Sequence, residues 1–302
     1  MKKTVTIGAA ALNEEANIVQ SVSALLKQTG SNFVLKEVII ASDGSTDKTV
    51  ELLKAMNDER VKILDFKERK GQLKRMLDVI NAFESDYFIF TDADIVFENT
   101  SVVEKLVTAL EEQDVAMACG RAKPLEGQTF VERAVRNTHL AYEDWAKDFQ
   151  EGNNVYNVHG CILAFNKAFI KSVAFPEEVT VADVYCYYTC KTRGLQFRFV
   201  PEAAVLIRVS NNIKDHLKQI KRYMSSGANV ERYFDRKLIA NELNVPKRLK
   251  YRSFIKTFVK SPISCMFIFV INKYAYIKVK RQKANVSSMW ELATSTKKDI
   301  TV

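Results

Sequence analysis

The feature that most restricts the fold of this chain is an alternation in its first hundred residues. Short apolar runs at 4–10, 36–42, 61–66 and 86–91 are separated by segments near 14–28, 46–56 and 70–83 with helical spacing. In the first of these segments Ile18, Val22, Leu25 and Leu26 recur three and four apart, so one face can pack on a sheet. Alternation of this kind builds βαβ units and a parallel sheet covered by helices. The N-terminal run imitates a short signal peptide, with Lys2 and Lys3 ahead of it and Ala9-Ala10-Ala11 as a mock cleavage site. It runs directly into Asn13-Glu14-Glu15, so its expected use is the first buried strand.

Further along, the spacing predicts a helix at 100–112, a strand near 115–119 and a long helix around 128–150. In that last segment Tyr142, Trp145 and Phe149 fall at helical spacing and read as core. From Asn211 onward the chain reads as helical and basic, with Pro246 and Pro262 as breaks.

Open parallel sheets bind ligands beyond the carboxyl ends of their strands. Asn13-Glu14 follows the first strand, Asp43-Gly44-Ser45-Thr46-Asp47 the second, Lys70-Gly71 the third, and Asp92-Ala93-Asp94 ends the fourth. The polar clusters are therefore expected to converge on one crevice. Residues two apart in extended chain project to the same side, so Asp92 and Asp94 can face one hard cation, Mg²⁺ or Mn²⁺, shared with substrate phosphates. Taken alone, such a triplet more often marks a solvated turn. Glu14 can likewise open a helix, Asp43 cap the next one, and Lys70 stand as an exposed cation.

Taken in order, Asn13-Glu14-Glu15, Ser42 to Asp47, Lys70-Gly71, Asp92-Ala93-Asp94, Val181-Ala182-Asp183 and Gln219-Ile220-Lys221-Arg222-Tyr223 resemble the family 2 glycosyltransferases of GT-A fold. The resemblance runs from residue 4 to about 230. It implies an α/β, Rossmann-like, mostly parallel sheet flanked by helices, with a nucleotide-binding half at 1–95 and an acceptor half at 96–230. The basic helical C-terminal extension at 231–302 lies beyond the resemblance and is read from its own charge and pattern. By resemblance Asn13 and Glu14 lie beside the nucleotide, Glu14 near the ribose, while Asp43 bonds the base, often uracil, and Lys70 approaches the diphosphate. Asp92 contacts the nucleotide or its sugar, and Asp94 ligates the metal.

Asp183 is the implied general base of an inverting displacement, taking the acceptor hydroxyl's proton. Ala182 stands where the family has Glu. Without the resemblance, Asp183 reads as a cap of the helix that follows. Gln219 and Arg222, three apart, share a helix face and can address one phosphate or sugar. Tyr223 replaces the Trp of the membrane polymer synthases, so processive synthesis is not implied. His159-Gly160 occupies the position of a turn that lines the acceptor site.

Charge divides the chain. Residues 214–302 hold 20 Lys and Arg against 6 Asp and Glu, whereas 1–213 hold 25 against 30. A basic tail on an acidic body suits an anionic membrane surface, especially with Phe254, Phe258, Phe267 and Phe269 interleaved. The apolar run Ile263 to Ile271 is too short to span a bilayer and reads as interfacial, or as a buried core helix. No nucleic-acid-binding signature accompanies the charge, and no nucleic acid is expected as partner. The five cysteines include no Cys-x-x-Cys pair, so neither zinc nor a disulfide framework is expected, and Cys186 and Cys190 read as small buried side chains.

The combined expectation is a metal-dependent inverting transferase moving a sugar from a nucleotide sugar, of UDP type, to a glycan or lipid-linked acceptor. It would work in the cytoplasm on the inner face of the cell membrane. A polyprenyl-phosphate sugar transferase is the alternative, since its anionic acceptor needs no base. A basic nucleic-acid-binding protein is the more distant one.

Overall fold

The computed structural model describes residues 2–281, with the backbone alone for 225–229 and 279–281. Its core is an eight-stranded sheet in the order β3-β2-β1-β4-β7-β6-β8-β5. The strands are β1 (Lys3–Ala11), β2 (Phe33–Asp43), β3 (Val61–Phe66), β4 (Tyr87–Asp92), β5 (Val96–Phe97), β6 (Val115–Pro124), β7 (Ile162–Asn166) and β8 (Gln196–Ile207). The first four pair in parallel, joined by helices α1 (Ile18–Leu26), α2 (Thr49–Ala55) and α3 (Gln72–Ala82). This is the arrangement the alternation predicts.

Both faces of the sheet are covered, which is why its strands read as unbroken apolar runs. Val5, Ile7, Val38 and Ile40 pack with Ile18, Val22 and Leu25 of α1 on one side. Ile39, Ala41, Phe88 and Phe90 pack with Met76, Val79 and Phe83 on the other. Gly8 lets α3 lie close to β1, since a Cβ there would sit 2.5 Å from Val79 Cγ1.

The second half of the sheet is mixed. β7 is inserted between β4 and β6 and runs antiparallel to both, while β6 and β8 are parallel. Helices α4 (Val102–Leu110), α5 (Phe130–Ala146), α6 (Lys167–Ser172) and α7 (Ala182–Thr192) accompany these strands. The start of α5 is fixed by a reciprocal capping box: Glu132 N–H donates to Thr129 Oγ1, and Thr129 N–H donates to Glu132 Oε2. The helix predicted to reach 150 stops at Ala146, where Gln150 and Glu151 turn the chain through positive φ. Trp145 and Phe149 are buried, as read, whereas Tyr142 is partly exposed.

The C-terminal helices are α8 (Ile213–Val230), α9 (Arg236–Leu243), α10 (Lys247–Lys260) and α11 (Pro262–Arg281). Pro246 caps α10 and Pro262 opens α11, the position proline tolerates in a helix. The run Ile263 to Ile271 is the first half of α11. Ser253 Oγ of α10 donates to the Ala141 carbonyl of α5, and Lys256 Nζ donates to Asp144 at 2.7 Å. Phe267 turns inward and meets the Phe130 ring edge-on at 5.1 Å, so it does not share the tail's exposed surface. Among the described residues no helix is long and apolar enough to cross a membrane.

Candidate functional site

Because β1 to β4 are parallel, their carboxyl ends share one edge, and the loops leaving them are tied together by side chains. Asn13 adopts positive φ, a conformation asparagine accepts more readily than most residues, and its Oδ1 takes the Thr46 N–H at 2.8 Å. Glu14 N–H donates to Thr49 Oγ1 at 2.8 Å, and Lys48 N–H donates to Glu15 at 3.1 Å. The loop after β1 and the loop after β2 thus form one rigid unit. Glu14 itself is nearly buried, while Lys70 is exposed and pairs with Glu68.

Asp43, at the last position of β2, is 4% exposed and anchors the loop after β3. Its Oδ1 accepts from Lys70 N–H and Arg75 Nε, each at 2.7 Å, and its Oδ2 accepts from Gly71 N–H at 2.9 Å. Gly71 has φ near +91°, which only glycine adopts without strain, and this aims both backbone donors at the carboxylate. Arg75 is the residue the sequence reading missed. It is 2% exposed, donates to Asp78 and to the Glu68 carbonyl, and lies 3.8 Å over the Phe66 ring. Both oxygens of Asp43 are therefore engaged inside the protein, and the loop that carries Lys70 is held through it.

Next to this edge is a cavity of about 700 Å³. Asp92 at the end of β4 lines it with His159, Gly160, Asp183, Gln219, Arg222 and Tyr223. Residues far apart in sequence are thus brought together, while Asn13, Glu14, Asp43 and Lys70 are not among the lining residues. Asp94 is partly exposed and stands just beyond the cavity wall, near enough that its charge and that of Asp92 add to burial in raising the Cys161 thiol well above its ordinary pKa. Gln72, opening α3, donates to Asp92 Oδ1 at 2.7 Å and joins the cavity to the clamped loop.

Asp183 sits in the first turn of α7, where Val181 is the cap residue, and its Oδ1 accepts the Val184 N–H at 2.8 Å. Gly160 faces it, and a Cβ on that glycine would stand 3.6 Å from Asp183 Oδ2. Burial raises the Asp183 pKa and the charge of Asp92 adds to that, against the Val184 N–H and Arg222, which favour the ionised form. A carboxylate biased toward holding a proton, in the wall of a cavity and within electrostatic reach of Arg222, is suited to proton transfer. On α8, Gln219 accepts from Ser210 Oγ at 2.8 Å, and the Arg222 guanidinium lies 5.3 Å from the Tyr223 ring.

All three histidines of the chain line this cavity, His139 and His216 having carried no sequence signal. Burial lowers His139 and His159 to about 4, each feeling a neighbouring histidine, and also lowers His216, which bonds Asn272 of α11 at 2.9 Å. The unfolded chain takes up protons near pH 6.5, whereas His139 and His159 in the folded chain wait until about pH 4. The unfolding midpoint is therefore expected to fall as pH is lowered from about 7 to about 5, and His159→Gln to flatten that slope. Thermal melts across this range check it.

All five cysteines are free, and burial pushes Cys119 up to about 12, so the thiols beneath the site are not thiolates.

A family model described as glycosyl transferase family 2 matches residues 6–174. An O-antigen chain rhamnosyltransferase of Salmonella anatum is 24% identical over 210 residues, covering 68% of this chain and 64% of that protein. A poly-β-1,6-N-acetyl-D-glucosamine synthase of Staphylococcus aureus is 20% identical over 273 residues, covering 89% and 64%. The chain thus spans somewhat under two thirds of the length of these relatives. Among solved structures, a mannosyltransferase from Pyrobaculum calidifontis, in complex with GDP-Man and Mn²⁺, superposes with a TM-score of 0.61 at 14% identity, covering 95% of this chain and 78% of that one.

Proposed function

The chain belongs to glycosyl transferase family 2, and from that premise we propose that it transfers a sugar from a UDP-sugar to a glycan or lipid-linked acceptor, in the synthesis of a cell-surface polysaccharide. The observation that carries this reading is the cavity in which Asp183 faces Gly160 while sensing both Asp92 and Arg222. The strand-end half, 1–95, holds the donor, and 96–230 forms the acceptor wall. The setting is the inner face of the cell membrane, and the polysaccharide relatives and the fold shared with a nucleotide-sugar enzyme support it.

In this reading Asn13 and Glu14 stand beside the nucleotide, and Lys70 faces its diphosphate from the loop that Asp43 and Arg75 hold. Asp43 acts on the base at most through the lone pairs its clamp leaves over. Asp183 removes the acceptor proton, the freed oxygen attacks the anomeric carbon, and the nucleoside diphosphate departs on the opposite face, so one displacement inverts the centre. Arg222 opposes the negative charge that grows on the leaving group, with Gln219, Tyr223, His159 and Gly160 lining the acceptor side.

Among the described residues no three His, Cys, Asp or Glu stand together as a metal cage. Asp92 and Asp94 are instead an oxygen pair at an open strand end, the donor set of a cation that keeps phosphate ligands, which fits Mn²⁺ or Mg²⁺. When bound, such a cation supplies charge neutralisation to the diphosphate.

The reading is tested by incubating the chain with UDP-, GDP- and dTDP-sugars in Mn²⁺, Mg²⁺ or EDTA. Release of one nucleoside diphosphate is expected, dependent on metal and lost in Asp94→Ala. Absence of both turnover and metal-dependent nucleotide binding by calorimetry would sink it.

A further inference from the structure

Exposed large apolar side chains of the described residues are concentrated on α10 and α11, and a ridge of them crosses the elbow between the two helices. Tyr251, Ile255 and Val259 recur every fourth residue along α10, and Ile263, Met266 and Val270 continue the line along α11. Val259 and Ile263, on either side of the elbow at Ser261-Pro262, are each 75% exposed. The opposite side of α11, at Cys265, Ile268 and Ala275, is buried. An aliphatic stripe of this length is not left to water without a partner.

The charge around the ridge is mainly of one sign, although Asp144 and Asp148, at the end of α5 and just beyond it, pair with Lys256 and Arg252. Between Glu242 and Glu291 the sequence contains eleven Lys and Arg and no carboxylate. Lys260 borders the elbow and Lys273 the second half of the ridge, both exposed. Helices that expose apolar side chains beside lysines such as Lys260 and Lys273 match the boundary between anionic headgroups and acyl chains.

We infer that the α10–α11 elbow is the surface on which this protein lies against an anionic lipid bilayer, its ridge entering the headgroup boundary and its lysines meeting lipid phosphates. No described helix can cross the bilayer, so the contact is interfacial. A second copy of the chain is a poor occupant, because it would set one cationic surface against another. Nucleic acid would use the lysines and leave Ile255, Val259, Ile263 and Met266 uncovered.

The inner side of the same helix reaches the cavity, where Asn272 bonds His216. A bilayer under α11 therefore brings lipid close to the acceptor wall. Only this last consequence rests on the transferase reading, and lipid binding stands apart from it.

The test is cosedimentation of the full chain with phosphatidylcholine vesicles, with and without phosphatidylglycerol, at low and high salt. Binding to the anionic vesicles is expected to be at least about tenfold tighter than to neutral ones and to weaken with salt. The triple variant Val259→Ser, Ile263→Ser, Met266→Ser should lose about tenfold or more at low salt while melting at the wild-type temperature. Donor hydrolysis in lipid-free buffer is read separately, so loss of lipid binding and loss of the transferase reading are told apart. Equal binding to neutral and anionic vesicles overturns the inference, as does full retention by the triple variant. So does a self-association that the triple variant abolishes in a chain that ignores vesicles, or DNA binding that the triple variant leaves undiminished without vesicle binding.

Discussion

Asp183→Asn is expected to slow sugar transfer by about 10²–10⁴-fold, the range lost when a positioned general base is removed. The substitution keeps the size of the side chain and its contact with the Val184 N–H, and it lies away from the clamped loops that hold Asn13, Glu14 and Lys70. Donor affinity should therefore change little, with the loss falling in kcat. The pH profile separates a base from a merely structural residue. The wild type needs Asp183 ionised, so kcat/KM falls as pH drops through the raised pKa of this group. Its acid limb should lie above the roughly 3.9 of an ordinary aspartate and vanish in Asp183→Asn. His139 and His159 are held near 4 and stay neutral above it, so a limb near pH 6.5 is not expected from either. Unchanged transfer in the variant would mean an acceptor with no proton to lose, such as a phosphate monoester on a lipid. The donor assignments would survive that result, while the role of Asp183 would not.

The strand ends were legible because two independent periodicities agreed there. Apolar runs of strand length alternate with helical spacing, and a parallel sheet leaves no freedom about which edge collects the loops. Asn13, Asp43, Lys70 and Asp92 could therefore be placed on one edge from sequence alone. The later strands obey no such rule. β7 enters between β4 and β6 in the antiparallel sense, a choice that depends on which neighbours remain unpaired and not on any pattern within Ile162–Asn166.

The cavity shows the same limit. Asp183 and Arg222 were found through ordered motifs, but His139, His216, Asn272 and Gln72 reach the cavity from helices whose sequence pattern says only that one face is buried. In the tail, charge was readable and direction was not. Phe267 looked like part of an exposed aromatic set, yet it packs on Phe130, while Ile255, Val259 and Ile263 stand outward. A helix with aromatic residues on more than one side does not declare its inner face until its neighbours, here α5 and α8, are in place.

Arg75, which lies in the helical segment 70–83 and was not singled out in the sequence, carries the second large effect. Removing its side chain in Arg75→Met strands the Asp43 carboxylate, which is 4% exposed, and takes one cation from Asp78. Breaking a buried ion pair from one side costs about 3–5 kcal/mol, because the remaining charge loses its partner without regaining water. The thermal midpoint should fall by roughly 10 °C on that scale. Arg75→Lys should recover part of this, since it keeps the charge but not the fork that reaches Asp43, Asp78 and the Glu68 carbonyl together.

A double-mutant cycle locates the cause. If the stranded charge is the penalty, adding Asp43→Asn to Arg75→Met should cost far less than Asp43→Asn does alone, with a coupling of about 1–3 kcal/mol. Additive losses would mean that Arg75 contributes only packing against Phe66. Function should follow the same geometry. The Lys70 and Gly71 N–H groups stay aimed only while Asp43 is itself held, so Arg75→Lys should raise KM for the donor well before it lowers kcat. A fall in kcat at unchanged KM would place the effect of Arg75 on the acceptor side and remove the loop from the account.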